Sequence, residues 1–223
     1  MNKIWDAVAA CLRSVAQQLG DTKVIAIGLT GQGDGLWLVD ADGEPVRPVA
    51  TWMDGRAADR VQTWTADGRA NRMLEVTRDV RLRRAVPVLI EELAATEPDA
   101  VARAATHLNC KDWLRLKLTG VRSTDYTEAS RSFLDVRDGS GFSTSLAEEV
   151  GLSEMVRLLP EIRPADGEAS PLSAQGAAAT GLPEGTPVGV GMIDVAVTGM
   201  GLGIVEDGAS WTPGHRRLGK ACR

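Results

Sequence analysis

The sequence predicts an α/β fold, and three observations carry that expectation. Short β-branched or apolar runs alternate with stretches of helical periodicity, and Gly, Asp and Pro punctuate the joints between them. At 223 residues with 43% hydrophobic content, the chain can bury a sizeable core without a disulfide or a structural metal.

The elements follow in order. Ile4, Trp5, Val8, Leu12, Val15 and Leu19 recur at helical spacing, which predicts an amphipathic helix over 2–19 that ends near Gly20 and needs a partner surface. Residues 23–29 and 36–39 read as strands, and the turn DADGE followed by 46–51 reads as the returning arm of a hairpin. Helical patterns follow at 57–65, 85–96, 99–105 and 110–118, the last closed by Thr119-Gly120. The text from Ser123 is polar and turn-rich, before two short helices at 145–150 and 153–159. An alanine-rich helix at 173–180, a short buried strand at 187–190 and a small-residue helix at 195–202 complete the pattern, the small residues permitting close packing.

Composition excludes several function classes. A net charge of -5 and a pI near 5.2, with Lys and Arg scattered among acids, leave no basic footprint for nucleic acid. No apolar run approaches the roughly 20 residues that span a bilayer, and the opening MNKIWDAVAACLRS lacks a signal-peptide core, so the expectation is no membrane and a cytoplasmic location. Cys11, Cys110 and Cys222 are widely spaced, and with only His107 and His215 they form no zinc pattern, so no metal ligand is assigned. GMGLGI from Gly199 fails the dinucleotide fingerprint at its last position, and neither histidine has a nucleophile partner at a recognisable spacing.

The chemistry gathers in two distant segments. Gln32-Gly33-Asp34-Gly35 lies between two strands, where a glycine-flanked amide and carboxylate either bracket a polyol or simply make a tight turn. TWMDGR supplies Trp52, Asp54 and Arg56, and alone it reads as a strand end with a DG turn whose Asp54 and Arg56 pair with each other. The glycine-rich exit GVGMID sets Asp194 at a helix start, where it can take a proton from a substrate hydroxyl or serve as an N-cap. Phosphorylation of a sugar alcohol needs bonds that fix the polyol, a carboxylate near the reacting hydroxyl, and a phosphate-and-metal cradle. The first two are offered here.

Residues 172–194, LSAQGAAATGLPEGTPVGVGMID, resemble the run-up LTAxAAxxTGLxxGTPVxxGxxD of the FGGY carbohydrate kinases. The resemblance implies that Asp194 is the general base, and the QGDG and WMDGR wording is nearest to the L-xylulose kinase and erythritol kinase branches. It implies substrate contacts at Gln32 and Asp34, and a substrate wall at Asp54 and Arg56. Gly33-Asp34 stands where xylulokinases have Met-His, which points to a tetritol, L-pentulose or other polyol rather than D-xylulose. STDYTEASRS resembles TDYTNASRT of glycerol kinases and so implies that Tyr126 lies beside the bound polyol.

The implied fold is an incomplete actin-like, ribonuclease-H-like ATPase, mostly its N-terminal sugar-binding domain. ATP and Mg2+ are implied as well, but the family's opening DxGT strand and second actin-like domain have no counterpart here, so truncation at both ends is expected. The implied organisation is a partial sugar-binding domain at 1–190, a helix carrying the base at an interdomain junction at 191–207, and a basic, disordered tail at 208–223. Two functional readings follow: a kinase transferring the ATP γ-phosphate to a sugar or sugar alcohol, or a catalytically silent fragment that at most binds polyol or a partner chain. Missing strands would leave a sheet edge open to self-association.

Overall fold

The computed structural model describes residues 1–79, 82 and 85–204, together with the backbone of an antiparallel pair at Ala209–Ser210 and Gly219–Lys220. The remainder of the expected basic tail at 208–223 lies outside the described residues. Among the described residues no helix is long and apolar enough to cross a membrane.

Helix α1 (Asn2–Leu19) forms where the apolar periodicity predicts it, and Trp5, Val8, Leu12 and Ala16 lay its apolar face on two buried clusters. The run at 23–29 is paired only in its later part. Ile27 bridges Val188 in parallel, and β1 (Thr30–Gly31) continues alongside β10 (Met192–Ile193), with Thr30 opposite Met192 and Gly31 opposite Ile193. Ahead of that pairing Ile25 is 78% exposed. β propensity alone does not make a ladder, and the partner segment lies only beside the later residues.

Strand β2 (Trp37–Val39) pairs antiparallel with β3 (Thr106–Leu108), while Leu36 bridges Ala50 and Val39 bridges Pro45, the expected hairpin arm. Leu36 and Leu38 enter the largest apolar cluster, and Trp37 and Val39 enter a second one. Burial on both faces is why this strand reads as an unbroken apolar run. The largest cluster is filled by α2 (Ala58–Ala66), α3 (Arg69–Thr77), α4 (Val86–Thr96) and α5 (Pro98–Arg103), through Trp64, Met73, Val76, Leu89, Leu93 and Val101. Helix α3 is not among the expected helices, because RANRMLEVT is mostly polar and buries only Met73, Val76 and Thr77.

Helix α6 (Cys110–Thr119) opens with a capping box between Asn109 and Asp112 and closes at Gly120, φ 77°, whose N–H reaches the Leu116 carbonyl. Strand β4 (Ser123–Thr124) runs parallel to β7 (Glu161–Ile162), and α7 (Tyr126–Ala129) follows immediately, capped by Asp125. Beyond it come β5 (Leu134–Asp135), β6 (Gly141–Phe142), α8 (Thr144–Glu149) and a 3-10 turn at Ser153–Leu158. Strand β8 (Ser170–Pro171) pairs antiparallel with β9 (Pro187–Val188) around α9 (Ala174–Thr180). The chain then leaves β9 through Gly191, φ 74°, where a Cβ would overlap the Leu29 carbonyl, so only glycine serves. Helix α10 (Asp194–Gly201) starts directly after β10 and buries none of its residues among those described.

Candidate functional site

Three segments converge at one end of the β1–β10 pair: the loop 32–35 that follows β1, helix α7 with its cap, and the β10–α10 junction. Asp194 is the first residue of α10 and is exposed. The N-cap position falls on Ile193, without a side-chain cap bond, and the Asp194 carboxylate accepts a hydrogen bond from its neighbour Val195 N–H at 2.8 Å. Val195 is the second residue of the helix, so the carboxylate satisfies one of its free N–H groups from the first helical position rather than from the cap position. The helix dipole favours a negative charge at this end, and the carboxylate faces solvent.

The loop sits tightly against that junction. A Cβ at Gly33 would overlap the Ile193 side chain and come within 3.8 Å of Glu128 Oε2, so glycine lets the loop close over β10 and α7. Asp34 adopts φ 64°, a left-handed conformation that Asp tolerates better than most residues. It ion-pairs with the buried Arg131, which also pairs with Asp79. Gln32 is half-buried, and its side-chain amide has no protein partner among the described residues. Tyr126 is the first residue of α7 and is 42% exposed, its hydroxyl likewise unbonded among the described residues.

Beneath these groups lies a buried polar cluster that the sequence reading did not single out. Lys111 contacts Asp112 Oδ1 at 2.6 Å and Asp125 Oδ1 at 2.9 Å. Burial alone would lower the Lys111 pKa, but the two carboxylates outweigh it and hold the ammonium above its ordinary value. Glu128 accepts from Asn109 Nδ2 at 2.8 Å through Oε2, while its Oε1 is buried without a hydrogen-bond partner. Burial first, then the Asp112 charge, push the Glu128 carboxyl well above its ordinary value. Cys110 is pushed up to about 11 by burial and by the charges of Glu128, Asp112 and Asp194, which makes it a thiol rather than a thiolate. The signal available beforehand was local: Asn109 with Asp112 is a capping-box spacing, and Lys111 and Arg115 interrupt a helix whose apolar residues occupy more than one face.

Asp54 and Arg56 take a different place. Arg56 Nε lies 3.0 Å from both Asp54 oxygens, and its Nη1 lies 3.0 Å from Glu97, which Arg47 holds at 2.8 Å. The Arg56 hydrogen bond holds Asp54 below its usual pKa. Among the described residues no hydrogen bond or ion pair joins this group to Asp34, Tyr126 or Asp194, although Thr51, at the head of the same segment, packs against Gly35.

The implied Mg2+ and the phosphates of ATP find no cradle in these residues. Among the described residues no group of three or more His, Cys, Asp or Glu side chains is placed to hold a metal ion. The cations nearest the site are already committed, Lys111 to Asp112 and Asp125, and Arg131 to Asp34 and Asp79.

Residues 1–201 match the family described as "FGGY family of carbohydrate kinases, N-terminal domain". The chain belongs to that family. It is 40% identical over 202 residues to the erythritol kinase of Brucella abortus (strain 2308), covering 90% of this chain and 39% of that protein. It is 29% identical over 210 residues to the L-xylulose/3-keto-L-gulonate kinase of Escherichia coli (strain K12), covering 93% and 42%. Among solved structures, the xylulose kinase of Rhodospirillum rubrum superimposes with a TM-score of 0.80 at 27% identity, covering 93% of this chain and 43% of that one. The FGGY chain thus has the α/β fold of the family's N-terminal domain, of the actin-like, ribonuclease-H-like class, and spans about two fifths of the length of these relatives.

Proposed function

We propose that this chain is the sugar-holding part of an ATP-dependent kinase that phosphorylates a hydroxyl of a tetritol or pentulose. The observation that carries the reading is the Asp194 carboxylate, exposed at the start of α10 beside the Gln32–Asp34 loop and α7. Asp194 accepts the proton of the substrate hydroxyl as that oxygen becomes the phosphate ester. A strong base is unnecessary, because phosphoryl transfer depends chiefly on positioning and charge neutralisation. The unbonded tips of Gln32 and Tyr126 offer hydrogen bonds to the polyol, and Asp34, oriented by Arg131, accepts from a hydroxyl. Asp54 and Arg56 serve as an outer wall, braced by Glu97.

ATP is the phosphoryl donor, and its contacts and those of Mg2+ come from chain beyond residues 1–204. In this organisation residues 1–190 are the sugar-binding part, 191–207 carry the base at the junction with the nucleotide-binding part, and the setting is cytoplasmic. The exposed Ile25, ahead of the β1–β10 pairing, is where the isolated chain would self-associate. The identity to an erythritol kinase makes a tetritol the first substrate to try.

Two experiments test the reading. A panel of tetritols, pentitols and ketopentoses is added to the 223-residue chain during thermal melting, and one of them is expected to raise the midpoint, since only binding to the native state does so. In a fusion that supplies the remaining part of a related kinase, Asp194→Asn is expected to abolish ADP release while leaving polyol binding intact. Equal turnover by the two fusions removes Asp194 from the base role. Melting indifferent to every sugar, with no turnover in the fusion, favours the catalytically silent fragment.

A further inference from the structure

Lys111 is wholly buried, and it joins three segments that the function above uses separately. Its Nζ contacts Asp112 on its own helix, Asp125 at the cap of α7, and the Val190 carbonyl at the exit toward β10, at 3.5 Å. Asp125 in turn accepts two hydrogen bonds through Oδ2, from Thr127 N–H at 2.8 Å and from Thr127 Oγ1 at 2.6 Å. A hydroxyl has one proton, and this one is given to Asp125, so Thr127 Oγ1 turns its lone pairs outward. They accept the Ile193 N–H at 2.9 Å. The other side of the same peptide is held too, because Thr30 Oγ1 donates to the Met192 carbonyl at 3.0 Å. The Met192–Ile193 peptide, one peptide unit ahead of the one that joins Asp194, is thus clamped at both its N–H and its C=O by side chains from β1 and α7.

We propose that the buried Lys111–Asp125–Thr127 chain is a positioning device for Asp194, fixing the Met192–Ile193 peptide so that the carboxylate at the head of α10 is presented in one orientation. The proposal rests on the reading of Asp194 as the base. Burying an ammonium with two carboxylates is a poor way to gain stability, since desolvation offsets most of the attraction. It is an effective way to specify geometry, because charge-assisted bonds are short and directional. The residues involved touch no substrate and act through the backbone that carries Asp194.

The test uses Thr127→Val, which removes the hydroxyl at nearly constant shape, and Thr127→Ser, which keeps it. In the 223-residue chain, NMR is expected to show Ile193 amide exchange accelerated at least tenfold in T127V and the Asp194 side-chain couplings averaged over rotamers. T127S should restore both, and core amides of α4 should stay protected in all three proteins. In the fusion kinase, T127V is expected to lower kcat by about 10- to 100-fold with KM little changed, the size of loss that a misplacement of order 1 Å produces. Unchanged Ile193 exchange and Asp194 couplings in T127V overturn the proposal, as does their loss with kcat intact. If T127V does not fold, Thr30→Val frees the carbonyl side of the same peptide. The same averaging at Asp194 is then expected, and unchanged couplings overturn the proposal. Turnover that survives Asp194→Asn sinks the base reading instead, and leaves the amide-exchange result standing as evidence of the clamp alone.

Discussion

Among the networks of carboxylates and cations in the described residues, two have opposite physical characters. Asp54, Arg56, Glu97 and Arg47 form a chain of ion pairs whose members are mostly part-exposed, with side-chain exposures of 17%, 34% and 35% for the first three. Asp112, Lys111 and Asp125 form a compact triad whose side chains have at most 1% exposure. In water-accessible surroundings a pair gains little and is screened by salt. In a dry interior the same charges are strongly coupled, and removing one strands the others. Which network shapes the site therefore depends on burial and not on the number of ion pairs.

That contrast is sharpest for Lys111→Met. It leaves Asp112 and Asp125 buried without a cation, and the expected loss is about 3–5 kcal/mol in chemical denaturation, the usual consequence of breaking one side of a buried pair. A loss near that of a surface pair would place the triad in a wetter environment than the structure shows.

His107 probes burial without a charged partner. Burial lowers its pKa from 6.5 to about 4, against the Leu158 carbonyl bonded to its ring at 3.2 Å. The folded state thus binds the proton less readily than the unfolded one, so stability is complete above pH 6.5 and falls as pH drops toward 4. The shift corresponds to about 3 kcal/mol. Denaturation midpoints measured across this window should fall in the parent chain and stay flatter in His107→Leu.

Glu128 has the opposite sign. Its folded pKa is raised, so its contribution is present at low pH and is lost as pH rises through the folded value. Glu128→Gln, neutral at every pH and able to accept from Asn109, should raise the melting midpoint at pH 8 more than at pH 4. A gain independent of pH would mean that the carboxyl is not the titrating group.

The smallest effect belongs to the exposed network. Arg56→Ala should cost about 0.2–1 kcal/mol, and the difference from the parent should shrink in high salt. A larger, salt-insensitive loss would show that Asp54 and Arg56 are structural at a level their exposure does not suggest.

Much of the site was legible before the structure. The helix 2–19, the helix closed by Thr119-Gly120 and the strand that exits at Gly191 were marked by periodicity and by glycine, because local backbone preference decides them. Asp194 was legible for the same reason, as the first carboxylate after a glycine-rich exit. Helix α3 and strand β3 were not legible, since RANRMLEVT and Thr106–Leu108 acquire their conformations from what packs on them. The self-pairing of Asp54 and Arg56 was one of two open alternatives, and the side-chain geometry favours it.

By itself, the sequence determined the alternation of strands and helices, the helices at 2–19 and 110–118, and the positions of the loop carboxylate, the loop amide and the helix-head aspartate, because each depends on residues within a turn or two of itself. Only the tertiary structure decided that Lys111, Asp125, Thr127 and Ile193, spread over more than eighty residues, form one line of bonds ending at the Ile193 N–H, one residue before Asp194. It also decided that the Glu128 carboxyl is pushed upward by burial, and that Asp34 is answered by Arg131. The reason is electrostatic. The charge state and reach of a side chain follow from the dielectric around it and the partners brought to it, and both are properties of the packed chain.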